Sequence, residues 1–154
     1  MNLFGVMDIS GSALQAERVR AEVVAANMAN SETTRTADGG PYRRQHVVFQ
    51  QAAGDGFAES LLGSGSGVSS GFGTATAAGG VQVAGVVTDQ SPPLERYDPT
   101  HPDAGADGYV AYPDINPLTE MVDLMGATRS YGLNATAVQA EKGMVASSLE
   151  ILKA

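Results

Sequence analysis

After Asn116-Pro117 no proline interrupts the chain as far as Ala154, and apolar side chains recur there every seven positions. Leu124, Tyr131, Val138, Val145 and Leu152 form one row. Met121, Thr128, Ala135, Lys142 and Leu149 form a companion row, offset by three or four positions and mixed in character. A repeat of seven held over this length belongs to a helix that buries a seam against another helix. Asn116 suits the N-cap, and Pro117 suits the first helical position, where no N–H is required. At 1.5 Å per residue the helix spans about 50 Å. A small β region cannot cover a seam that long, so the fold must find it a partner helix.

The other end of the chain offers one. Residues 11–29 read as a helix, because Met7, Leu14, Ala21 and Met28 stand seven apart, with Val24 and Ala25 adjoining. Asp8 or Ser10 is expected to cap its start and Asn30 to stop it. Alone it is too short to be stable, so the two ends are expected to pair. The longer C-terminal helix would keep part of its seam uncovered, and uncovered apolar seams mark association sites. Gly126, Gly132, Ala135 and Gly143 either admit a closely approaching helix or are simply tolerated.

Between the ends, Asp38-Gly39-Gly40-Pro41 signals a turn and His46–Gln50 a short strand. Residues 54–80 interleave Gly with Ser, Ala and Thr, the composition of a flexible loop. The tract Gly63–Gly67 completes no phosphate-binding pattern, since no Lys follows it. Val81–Thr88 is the best strand, and Leu94–Tyr97 and Tyr109–Tyr112 are two more. Their connections are too short for crossover helices, so pairing is expected to be antiparallel. The expected fold class is α+β. Residues 1–35 and 115–154 would form one coiled-coil-like helical domain, and residues 36–114 a small antiparallel β domain between them.

The net charge is −8, and it is unevenly spread. Residues 1–50 balance five Arg against five acidic groups, residues 51–115 set Arg96 alone against eight, and residues 116–154 set three basic groups against four. Nearly neutral ends can pack without self-repulsion, while an acidic middle stays solvated. Arg43-Arg44 is the one basic doublet among arginines, too little for a nucleic-acid partner. With no Cys there is no disulfide, thiolate metal site or Cys nucleophile. The first residues lack the basic and apolar regions of a cleavable signal, and no apolar run is long enough for direct membrane insertion.

Nothing in the residues argues for an enzyme, a cofactor or a metal. His46 and His101 are the only histidines and have no metal-ligand spacing. His101, between prolines and near Asp98, Asp103 and Asp107, reads as part of a hydrogen-bonded loop rather than a cation site. Asn134-Ala135-Thr136 is a formal sequon placed inside a helix.

Particular segments carry a family resemblance. Leu14-Gln15-Ala16-Glu17-Arg18-Val19-Arg20 leads into Val23-Val24-Ala25-Ala26-Asn27-Met28-Ala29-Asn30 and Thr33-Thr34. This is similar to the ANNxANxxT signature of the flagellar rod, hook and hook-associated axial proteins. Pro41-Tyr42-Arg43-Arg44 with Val47-Val48-Phe49, and Tyr97-Asp98-Pro99-Thr100-His101-Pro102-Asp103-Ala104, resemble the short proximal-rod members of that family. So do Gly108-Tyr109-Val110, Tyr112-Pro113-Asp114-Ile115-Asn116, Glu120–Met125, Arg129-Ser130-Tyr131 and Asn134-Ala135-Thr136. Residues 54–80 depart from the family pattern, with a longer Gly-Ser tract.

The resemblance implies a structural subunit of the flagellar basal body that stacks helically into the hollow rod crossing the periplasm, transmitting torque and passing exported subunits. Its terminal helices would line the tube and its middle would face outward. Partners would be copies of itself, the rod proteins FlgB, FlgF and FlgG, FliE and the MS ring, and the flagellar type III export apparatus, which needs no cleaved signal. The expected assembly interface comprises Leu14, Ala21, Val24, Asn27, Met28 and Asn30 at one end, and Met121, Leu124, Tyr131, Ala135, Val138, Val145, Leu149 and Leu152 at the other. A charge at Val138 or Val145 would block assembly, with Ser147→Asp and Ser148→Asp as neutral controls. The alternative is a secreted adaptor or cap that binds partner helices through its termini without building a shaft.

Overall fold

A computed structural model describes residues 3–37, 39–52, 79–151 and 153, with side chains from residue 5 onward. Helix α1 spans Leu3–Ala29 and helix α2 spans Pro117–Ile151. Strands β1 (Gln45–Gln51), β2 (Val81–Thr88), β3 (Leu94–Tyr97) and β4 (Tyr109–Tyr112) lie between them. The expected α+β class is the one observed, and α2 begins where the sequence places it. The Asn116 side chain accepts from Leu118 N at 3.0 Å, and its carbonyl accepts from Glu120 N at 3.1 Å. Both are N-cap bonds.

α1 begins well before the expected start. Asp8 and Ser10 are therefore not caps but lie within the helix, and Ser10 is buried. Half-buried Val6, Met7 and Ile9 give the early turns an apolar side, which outweighs the helix cost of Gly5 and Gly11. Asn30 does end the helix, and its side chain donates to Ala26 O at 2.9 Å.

The helices run antiparallel, since Asn27 near the end of α1 meets Glu120 in the first turn of α2. Ala16, Val24 and Ala127 are the buried apolar residues of the helices. The face of α2 turned to α1 is not centred on the expected rows. Its most buried positions are Glu120, Ala127 and Glu141, with half-buried Asn134 completing a seven-residue row. Leu124, Val138 and Val145 flank that row half-buried, whereas Met121, Thr128, Lys142 and Leu149 are exposed. Glu120 is drawn inward by Asn27 of α1 and by Arg44.

The β region is two separate antiparallel hairpins, β1–β2 and β3–β4. The first lies against α1 rather than projecting freely. Its ladder extends through Arg44–Asp89 and Ala52–Gly80 bonds of 2.8 Å each, and Ala84 bulges out between the Val48–Gly85 and Phe49–Val83 pairs. β3–β4 packs edge-to-face through Tyr97 and Tyr109, with ring centroids 5.4 Å apart. Val110 and Ile115 bury next to the start of α2 in sequence.

Candidate assembly interface

Asn27 joins three segments. Only 1% of it is exposed. Its Nδ2 donates to Gln45 O at 2.8 Å and Glu120 Oε2 at 3.2 Å. Its Oδ1 accepts from Gln45 N at 2.9 Å and from the Tyr42 hydroxyl at 3.2 Å. Two N–H groups and two lone pairs are all that an amide has, so every one is used. The paired bonds to Gln45 act as an extra ladder step that fixes β1 on α1.

Glu120 is equally buried and closes on the Arg44 guanidinium. The contact is ionic rather than an aligned hydrogen bond, and Arg44 Nε has no acceptor among the described residues. Arg44 also lies 3.7 Å from Asp123, which in turn lies 3.7 Å from Arg20. Burial holds the Tyr42 hydroxyl above its usual range, and the Glu120 charge adds to this. The junction thus ties α1, the segment entering β1, and α2 in one polar network.

A second tie lies farther along α1. Ser12 Oγ donates to Ile9 O at 2.7 Å and accepts from Val81 N at 3.0 Å. Gly80 approaches so closely that a Cβ there would lie 2.0 Å from Ser12 Oγ. The fifteen residues from Ser12 to Asn27 rise about 22 Å. The seven steps of β1 from Gln45 to Ala52, at about 3.3 Å each, match that span. The hairpin is strapped to the helix at both ends.

The loop Asp98–Ala104 docks beside the end of α1. Asp98 accepts from the Thr100 hydroxyl at 2.8 Å and from Thr100 N at 3.2 Å, which hold its carboxyl below the usual carboxylate range. Asp103 accepts from the Thr34 hydroxyl at 2.8 Å, and its N–H donates to His101 Nδ1 at 3.1 Å. His101 is thus part of a hydrogen-bonded loop.

The outer side of α2 packs on nothing among the described residues. α2 packs against α1 and neither hairpin. On its far side Leu118, Val122, Met125, Leu133, Met144 and Ile151 are each more than half exposed. Val122, Leu133 and Met144 stand eleven apart, as do Leu118, Arg129, Ala140 and Ile151. Eleven residues make three turns at about 3.67 per turn, so a nearly straight helix holds this stripe along its whole length. Ser147 falls on the same outer stripe and is no longer a neutral control position. Gly126, Gly132 and Gly143 have open space where a Cβ would stand, so within this chain no helix approaches them closely.

The residues expected to form the interface divide into three groups. Val24 and Asn27 are buried inside this chain, and Leu14, Ala21, Met28, Asn30, Leu124, Ala135, Val138 and Val145 are half-buried. Met121, Tyr131 and Leu149 are exposed. Leu152 lies outside the described residues. The outer stripe is hidden in the sequence because heptad rows run along the same helix. Its signal is the exact eleven-residue spacing of Val122, Leu133 and Met144. The pairing of Glu120 with Arg44 carried no local signal, since it joins distant segments.

The two helical ends overlap the stretches that known families match. Residues 7–35 match the family described as "Flagella basal body rod protein". Residues 106–151 match "Flagellar basal body rod FlgEFG protein C-terminal". A Bacillus subtilis protein named "Flagellar basal-body rod protein FlgC" is 44% identical over 157 residues, covering 99% of this chain and all of its own. Proteins of the same name from Borreliella burgdorferi and Salmonella typhimurium are each 37% identical, over 99% and 98% of this chain and of their own lengths. With helical ends, hairpins between them and relatives matched from end to end, the chain belongs to the FlgC family of flagellar basal-body rod proteins and is a structural subunit of the rod.

Proposed function

We propose that this rod subunit polymerises through its terminal helices, and that the outer stripe of α2 is a principal assembly face. In this reading residues 1–35 and 115–154 form the assembly domain and residues 36–114 the smaller outward part. The rod so built is the hollow shaft that crosses the periplasm, turns the hook and passes exported subunits. The neighbours are copies of this chain and the rod proteins FlgB, FlgF and FlgG, with FliE and the MS ring at the base. Delivery is by the flagellar type III apparatus, and catalysis plays no part.

The observation that carries this reading is the stripe itself. Large apolar side chains stand in solvent along a helix that α1 flanks on one side only. Contiguous apolar surface of this kind marks protein–protein contact. The test places a charge where assembly would bury it. Leu133→Asp and Met144→Asp are expected to leave the soluble subunit folded, because both side chains already face water. An unpaired buried charge costs several kcal/mol at every repeated contact, so both variants should abolish motility and rod formation. Gln139→Asp, exposed but off the stripe, is the control. Wild-type motility of Leu133→Asp would overturn this assignment of the face.

A further inference from the structure

The row of α2 that faces α1 carries two buried carboxyls in unlike settings. Glu120 closes on Arg44 and receives the Asn27 amide. Glu141, 4% exposed, lies 21 positions farther along the same face, about 31 Å from that junction. Its Oε2 is buried with no hydrogen-bond donor among the described residues, and it takes part in none of their ion pairs. The sequence shows why. The helices are antiparallel, so counting the same number of positions back from Asn27 brings Glu141 level with Val6. Residues 5–16 carry Asp8 as their one charge, and it is acidic. On α2 the positions three and four away hold Ala137, Val138, Met144 and Val145, none of which can pair with a carboxylate. Lys142, next in sequence, is exposed.

The two ends of the helix pair are therefore built differently. Apolar burial between the helices stops at Ala16 and Ala127, and beyond them the buried side chains among the described residues are Ser10 and Glu141, both polar. The β1–β2 hairpin straps α1 at Asn27 and at Ser12, and neither hairpin packs on α2. The turns before Ser12 have α2 alone to hold them. An unpaired charge in a desolvated seam costs more than half-buried Val6, Met7 and Val138 return. We propose that Glu141 is a conformational brake: its carboxylate keeps the distal end of the pair, residues 5–11 and 136–148, from closing stably in the free subunit, while the Asn27–Glu120–Arg44 junction stays shut. The pair opens from that end, and opening returns the carboxylate to water. The hairpin keeps its place on α1 throughout, because both of its straps lie on the closed side. The brake acts whichever face of α2 serves assembly.

Residue-resolved amide hydrogen exchange of the full-length monomeric subunit tests this. Glu141→Leu keeps helix propensity and replaces the charge by an apolar side chain. It should slow exchange at 5–11 and 136–148 about tenfold and leave 20–28 and 118–127 within about twofold of wild type. Glu141→Gln removes the charge alone and should slow the distal amides by less. Gln139→Leu adds the same apolar side chain at an exposed position and should change neither set. A Glu141 that merely supported the pair would give the opposite sign, since its loss would speed distal exchange. Distal exchange unchanged or faster in Glu141→Leu, or slowed as much by Gln139→Leu, overturns the brake. If Glu141→Leu self-associates, Glu141→Gln decides, and unchanged or faster distal exchange there overturns it equally.

Discussion

Replacing Asn27 by Asp changes one group and removes two bonds. The donor that reaches Gln45 O and Glu120 Oε2 becomes an acceptor, and a second negative charge arrives beside a carboxylate that is 1% exposed. Leaving buried polar groups unpaired costs about 1–3 kcal/mol each, and a buried charge more. Asn27→Asp should therefore lower the urea midpoint by the equivalent of about 3 kcal/mol with an unchanged slope. Tyr42 offers a subtler probe. Its hydroxyl is held above the usual range by burial and then by Glu120, so the native state retains the proton that the unfolded chain gives up first. That contribution is present below pH 10, the ordinary tyrosine value, and is lost as pH rises through the higher native value. Tyr42→Phe loses a 3.2 Å bond to Asn27, about 1 kcal/mol, and should flatten the decline of stability above that pH in alkaline urea titrations. The sequence shows Asn27 as part of a signature but gives no reason for it, because its partners lie 15, 18 and 93 residues away.

At the scale of the element, the strands, their antiparallel pairing and the start of α2 were readable from local rules. Asn116-Pro117 and the alternation in Val81–Thr88 carry their own signals. What was not readable depends on contacts between elements. The early turns of α1, the inward Glu120 and the split into two hairpins all follow from packing that no local window contains. Gly80 illustrates this. It ends the stretch whose composition reads as a flexible loop, yet it presses on Ser12. Gly80→Ala should push the hairpin off α1 at a cost of about 1–3 kcal/mol, and Ser12→Gly should recover most of it, read by thermal unfolding. The tract Gly63–Gly67 lies outside the described residues; on its Gly-Ser composition its deletion should leave motility intact, since shortening a chain connection changes closure entropy by fractions of a kcal/mol. Among the described residues the helices carry little core of their own, with Ala16, Val24 and Ala127 as their buried apolar residues. Helical content by circular dichroism should therefore rise between the dilute subunit and the assembled form. Equal helicity in both would show that the pair is complete within one chain.

For the whole molecule, nine of the seventeen large apolar side chains that stand exposed among the described residues lie on its longest helix. That distribution suits a part of a larger structure better than a free-standing domain. The network of Asn27, Glu120 and Arg44 fixes the hairpin to the helix pair, so a force applied to one is carried to the other through buried bonds rather than through a flexible joint. The sequence revealed the helical ends and their need for partners, and the resemblance supplied the family. It did not reveal which face of α2 stays free, because the heptad rows and the eleven-residue stripe share one helix and only packing against α1 separates them. Polymerisation of this rod subunit through that face can be read by electron microscopy of basal bodies from a deletion strain complemented with either the wild-type chain or Leu133→Asp. The wild type should give complete rods and the variant none, although the variant is exported and folded. Complete rods with Leu133→Asp, or in the deletion strain itself, would contradict this.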